Sequence, residues 1–190
     1  MLFAISPVPE WVKPTGNRTS QIRGFDTLFT SFRATQPPLG NKIHLMPIFN
    51  YTFTVNAPLA DVANFHSDTS ALKTLSPGPM QIHRADPLGE GSISEFTLWL
   101  GPIPVRWRAL HSNVSQNGFT DSQESGPVEF WQHTHTFTAL AENQTRIDEH
   151  IEYRHHKGLR GIFSRLVFGK LGLLVLFTYR QWATIRALKK

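Results

Sequence analysis

The segment Trp131-Gln132-His133-Thr134-His135-Thr136-Phe137 holds the residues with the clearest capacity for chemistry. Read as a strand, it places Trp131, His133, His135 and Phe137 on one face and Gln132, Thr134, Thr136 and Thr138 on the other. The threonine face suits water, so both histidines point inward with the aromatics. In the preceding strand Phe119 sets Asp121 and Gln123 on the inner face. In the following strand Ile147, Ile151 and Tyr153 bring Glu149 inward and leave Asp148, His150 and Glu152 outside. A turn near Glu142 sets His135 roughly opposite Glu149, and the Gly126-Pro127 turn brings Asp121 toward Trp131 and His133. The inward polar set is therefore Asp121, Gln123, His133, His135 and Glu149, bordered by Phe119, Trp131, Phe137, Ile151 and Tyr153.

Three kinds of chemistry are open to such a set. Unpaired buried polar groups cost about 1–3 kcal/mol each, and these five can satisfy one another as a network lining one end of a cavity. A histidine beside a carboxylate in apolar surroundings is also an acid/base pair near neutral pH. In that role His133, His135, Glu149 and Asp121 are the catalytic candidates. Two histidines at i, i+2 with a carboxylate further match a zinc or iron ligand set. His-x-His is a weak signal by itself, so no metal and no other cofactor is assigned. Cysteine is absent, which excludes thiolate sites, disulfides and cysteine catalysis. No Gly-rich phosphate loop, Ser-x-x-Lys, Gly-x-Ser-x-Gly or His-Glu-x-x-His occurs, so phosphoryl transfer and serine hydrolysis lack motif support.

The elements that must position these residues are legible in the period of the pattern. Met46 to Asn56 reads as a strand, and Pro58 then opens a helix whose stripe is Leu59, Val62, Ala63 and Phe65. A second short helix, Thr69 to Leu75, stops before Ser76-Pro77-Gly78-Pro79. Strand patterns follow at Gln81–Ala85, Gly91–Leu100, Ile103–Val114, Gly118–Glu124, Val128–Ala141 and Thr145–Tyr153, separated by Gly-, Pro- and Asn-containing turns. Consecutive strands with tight turns make an antiparallel meander. From Gly161 to Leu188 the period changes: Phe163, Val167, Leu171, Leu174, Thr178, Trp182 and Ile185 form one apolar helical face, with a bend expected at Gly169 and Gly172. The expected fold is α+β, a curved antiparallel sheet of six to seven strands wrapped around a long C-terminal helix, with a cavity between them.

The chain has 190 residues, 40% hydrophobic and 17% charged, enough apolar surface for one domain. Residues 46–190 carry that domain. Residues 1–45 are rich in Pro, Ser, Thr, Asn and Gln and read as a flexible extension, or as a start set ahead of Met46. The net charge of +5 is unevenly spread, for residues 153–190 hold nine basic side chains and no acid while the middle is acidic. This is unlike a sheet that binds nucleic acid, and no nucleic-acid partner is expected. The first residues lack a secretory pattern, and no uninterrupted apolar run reaches the ~18 residues of a membrane span. The cytoplasm is the expected location, with peripheral contact to anionic membrane left open by the basic C-terminal segment.

The order of elements, together with Val55-Asn56-Ala57-Pro58, Trp99-Leu100-Gly101-Pro102 and above all Phe119-Thr120-Asp121-Ser122-Gln123 with Gly126-Pro127 and the His133/His135 segment, resembles the SRPBCC superfamily. These are the START-like helix-grip domains, and the likeness is to their polyketide cyclase/dehydrase-like subgroup, over about residues 46–190. It implies a hydrophobic small-molecule partner, a lipid, quinone or polyketide-like compound held between sheet and terminal helix. Trp107, Phe119, Gln123, Trp131, Phe137, Ile151 and Tyr153 are then expected to line the cavity from the sheet, with Phe163, Val167, Leu171 and Leu174 closing it. The alternative is a cyclase or dehydratase using the histidine–carboxylate groups. A carrier keeps altered affinity in His133→Ala and His135→Ala variants, whereas an enzyme loses turnover.

Overall fold

The computed structural model describes residues 46–68 and 70–189, so the reading of residues 1–45 as a flexible extension lies outside the described residues. Seven strands form one curved antiparallel sheet: β1 (Ile48–Val55), β2 (Met80–Ala85), β3 (Ile93–Leu100), β4 (Ile103–Ser115), β5 (Gly118–Ser125), β6 (Phe130–Ala141) and β7 (Gln144–Arg154). Their order in space is β1-β7-β6-β5-β4-β3-β2. Strands β2 to β7 are therefore a continuous meander of hairpins, and β1 returns to pair with β7. Two short helices, α1 (Leu59–Ser67) and α2 (Ala71–Thr74), follow β1; α3 (Gly158–Phe168) and α4 (Lys170–Ala187) end the chain.

Alternation decides which face of the sheet is buried. Along β7 the residues Thr145, Ile147, Glu149, Ile151 and Tyr153 are buried, while the residues between them are partly or fully exposed. Between the sheet and the C-terminal helices lies a core of Phe49, Trp107, Trp131, Ile151, Tyr153, Phe168, Leu173 and Phe177, and a second cluster of Phe53, Val62, Phe119, Phe137 and Ile147 sits under α1. Register shifts interrupt the pairings of β2 with β3, β4 with β5, and β6 with β7. Such bulges bend strands, and here they accompany the curvature that gives the sheet a concave inner face.

The β4–β5 hairpin depends on Gly118. Its φ of +138° is one that side-chain-bearing residues avoid, and a Cβ there would be driven into the His135 carbonyl on β6. Gly118→Ala is expected to lower stability by about 1–3 kcal/mol, read as a lower denaturation midpoint with an unchanged m-value. A neutral result would mean that the hairpin is not seated this way.

The terminal helix differs from its sequence-based reading in two respects. Gly169 adopts extended backbone (φ −78°, ψ 173°) between α3 and α4, so one helix ends and another begins. That break resets the helical phase. Phe163 and Val167 pack against the core. However, Leu171, Leu174 and Trp182 are 75%, 46% and 54% exposed, and the buried face of α4 is instead Leu173, Phe177, Ala183 and Thr184. Because α4 is apolar on most sides through Phe177, a 3.6-residue period does not select which side is inside. The second correction concerns membranes. Gly158–Ala187 is long and apolar enough to cross one by length and composition, at a mean hydropathy of 1.6, although no single unbroken run is. In the structure Leu173 and Phe177 of this segment are fully buried against the sheet, while Leu159, Ile162 and Leu166 on α3 are exposed beside Lys157, Arg160 and Arg165.

Candidate functional site

Register brings four polar side chains into one group. Asp121 on β5 pairs with His133 on β6, and His135 pairs with Glu149 on β7. Each carboxylate therefore meets one histidine directly across and the other on the diagonal. His133 Nε2–H donates to Glu149 Oε2 at 2.7 Å, and His135 Nε2–H donates to Asp121 Oδ2 at 3.1 Å. The remaining contacts close the square. His133 Nδ1 is 3.6 Å from Asp121 Oδ2, and His135 Nδ1 is 2.8 Å from Glu149 Oε2. That last pair is out of line for a hydrogen bond, and His135 Nδ1 is a buried nitrogen without a hydrogen-bond partner.

Burial and mutual charge set the protonation of the group. Burial opposes charge on every member. For Glu149 the adjoining histidines outweigh it and hold the carboxyl well below the usual range, and Asp121 is likewise lowered. His135 is raised to about 9, burial being overcome by Glu149 and by the bond to Asp121. His133 goes the other way, lowered first by burial and then by the charge on His135. These directions favour the charged form at Asp121, Glu149 and His135 and the neutral form at His133.

Asp121, His133 and His135 form one end of a cavity of about 250 Å³ between the sheet, α2 and the C-terminal helices. Its walls are apolar: Leu72, Met80, Phe96, Trp107, Trp131 and Phe168 among others. Of the residues expected to line it, Trp107, Phe119, Trp131 and Val167 do so. Glu149 stands behind the histidines, outside the lining. The others have different places. Gln123 turns aside to donate to the Val128 carbonyl at 2.8 Å. Ile151, Tyr153 and Phe163 belong to the packed core, and Phe137 to the cluster under α1. The inner face of the sheet is larger than the cavity, and helices cover the rest. Leu171 and Leu174 are the clear corrections, being exposed after the phase reset at Gly169.

No family model matches this sequence, and no curated protein matches it. Solved structures do. A START superfamily protein from Mycobacterium smegmatis matches with a TM-score of 0.58 at 12% identity, over 74% of this chain and 96% of its own. The Zhui aromatase/cyclase from Streptomyces sp. R1128 matches at 0.56 and 15%, over 76% of this chain and 92% of its own. A norcoclaurine synthase from Thalictrum flavum, solved with dopamine and hydroxybenzaldehyde, matches at 0.55 and 17%, over 75% and 86%. This chain has the helix-grip fold. At these identities the likeness speaks to architecture, and the site must be argued from its own residues.

The helix-grip architecture also delivers residues to the cavity that strand alternation does not reveal. Arg180 on α4 lines it, with its Nε–H on the Leu75 carbonyl at 3.3 Å and its guanidinium 5.1 Å above the Phe177 ring. A lone arginine directly after the largely apolar stretch Leu171 to Tyr179 was the available signal. His66 on α1 lines it too; its Nδ1–H donates to the Val62 carbonyl at 2.8 Å, and burial, followed by the charge on His135, lowers it to about 4. It is therefore a neutral ring. Ser94 on β3 lines the cavity with a buried hydroxyl that has no hydrogen-bond partner. Nothing in its local sequence marks it. Arg180 and the Ser94 hydroxyl can donate to a ligand's oxygen, while Asp121 and the histidines can accept.

Proposed function

We propose that this chain binds a compact apolar or aromatic small molecule carrying one acidic or carbonyl oxygen group. Its rings lie against Phe96, Trp107 and Trp131, and its oxygen end faces Arg180, Ser94 and the histidine pair. The observation that carries this reading is a cavity of mostly apolar walls into which a few polar side chains, Arg180, Ser94 and the histidine pair among them, converge. The volume narrows the ligand class. At about 250 Å³ the cavity is larger than the ~150 Å³ that accepts benzene and smaller than the ~300–1,000 Å³ of drug-sized sites. One or two rings with short substituents fit better than a long-chain lipid. The small aromatic molecules in the norcoclaurine synthase structure are of that size class and support the reading by analogy of fold.

The test uses the purified full chain titrated with 2-naphthoate and with naphthalene. Both bind the native chain. Ala109→Phe, which fills the cavity from β4, weakens both by at least ~10-fold, while Arg180→Met weakens naphthoate by ~10-fold or more and leaves naphthalene within about twofold. Binding that ignores Ala109→Phe, or equal losses of both probes in Arg180→Met, overturns the assignment.

A further inference from the structure

We propose that Asp121, His133 and His135 form a binding site for one divalent transition-metal ion, of the zinc or iron(II) type, at the polar end of the cavity. One donor atom from each residue lies within 4.8 Å of the other two. Donors held about 2.0–2.2 Å from a tetrahedral ion stand roughly 3.3–3.6 Å apart. The two contacts of Asp121 Oδ2, 3.1 Å to His135 Nε2 and 3.6 Å to His133 Nδ1, fall around that spacing. The two histidine nitrogens lie within 4.8 Å of each other, so closing the set requires them to move together by up to about 1.5 Å.

The groups behind the site strengthen the case. Each histidine turns one nitrogen toward Asp121 and the other toward Glu149, at 2.7 Å for His133 and 2.8 Å for His135. Glu149 accepts from His133 and so stands where the outer carboxylate of a carboxylate–histidine–metal arrangement stands for that ring, while His135 Nδ1, close but out of line, needs a small turn to make the same bond. With an ion bound, both imidazoles are neutral, each giving a lone pair forward, and the carboxylates of Asp121 and Glu149 offset the charge of the dication, with Arg180 as a further cation of the cavity. Imidazole nitrogen favours zinc or iron over magnesium or calcium, and two histidines with one carboxylate is a set that leaves coordination positions open. Those positions face the cavity, toward the ligand's oxygen end. The inference goes beyond the binding reading above and does not need it. Its test contains no organic ligand, so either idea can fail alone.

The experiment strips the full chain with chelator, removes the chelator and titrates Co(II), followed by visible absorption, and zinc, followed by calorimetry. One ion per chain is expected. His133→Gln and Asp121→Asn each weaken it by ~100-fold or more, Glu149→Gln by about 10–100-fold, and the exposed His83→Gln not at all. Since a variant can fail to fold, the native chain supplies a second readout: Co(II) must broaden the ring signals of His133 and His135 before those of His83. Broadening of His83 first, a stoichiometry of zero, or unchanged affinity in folded His133→Gln overturns the proposal.

Discussion

Glu149→Ala is expected to be among the most damaging single changes in the sheet, lowering stability by about 3 kcal/mol. Its side chain is 5% exposed and receives the Nε2–H of His133, with His135 Nδ1 beside it. Deleting one partner of a buried charged pair costs about 3–5 kcal/mol, because the remaining groups have neither water nor an acceptor. The lower end applies here, since His135 can release its extra proton when the carboxylate is gone. At ~2–4 °C per kcal/mol for a chain of this size, the melting temperature falls by ~6–12 °C. Asp121→Asn provides the contrast. Asp121 is a member of the same cluster, but its side chain is 19% exposed and faces the cavity. Asparagine keeps an acceptor oxygen there and solvent is near, so the expected loss is ~1 kcal/mol or less. Thermal melts of the two variants by circular dichroism decide the matter. Equal losses would show that the two carboxylates do not divide into a supporting residue and a cavity-facing one.

That division was only half legible in the sequence. Strand alternation and turn residues fix which side chains share a face, and the pairings His135 with Glu149 and Asp121 with His133 followed from them. A period-2 pattern is read locally, so the strands of the meander could be placed to within a few residues. What alternation does not contain is depth. Ile151, Tyr153 and Phe137 share the inner face with His133 but end up packed in the core rather than open to the cavity, because that depends on where helices dock. Ser94, His66 and Arg180 reach the site from β3, α1 and α4, elements distant from His133 in sequence. Their convergence is a property of the closed fold. Apart from the apolar stretch that precedes Arg180, no pattern within about ten residues of them marks it.

The helix phase is where the local pattern misled, and it yields the last prediction. Phe177 is fully buried at the centre of the grip. Its ring lies 5.5 Å from Phe49, 5.9 Å from Tyr51 and 5.4 Å edge-on from His133. Arg180 covers it from the same helix. Phe177→Ala removes the side chain that holds α4 on the sheet, and a buried Phe→Ala costs about 3–5 kcal/mol, transfer loss and cavity combined. Leu174→Ala, three residues away on the face first read as buried, is expected to cost under ~0.5 kcal/mol because Leu174 is 46% exposed. The two registers of the helix therefore make opposite predictions for the same pair of variants. If Leu174→Ala proves the more damaging in denaturant titration, the helix sits in the register of the unbroken stripe, and Arg180 no longer reaches the cavity. If Phe177→Ala does, the break at Gly169 has turned α4 so that one arginine among apolar neighbours faces the polar end of the site.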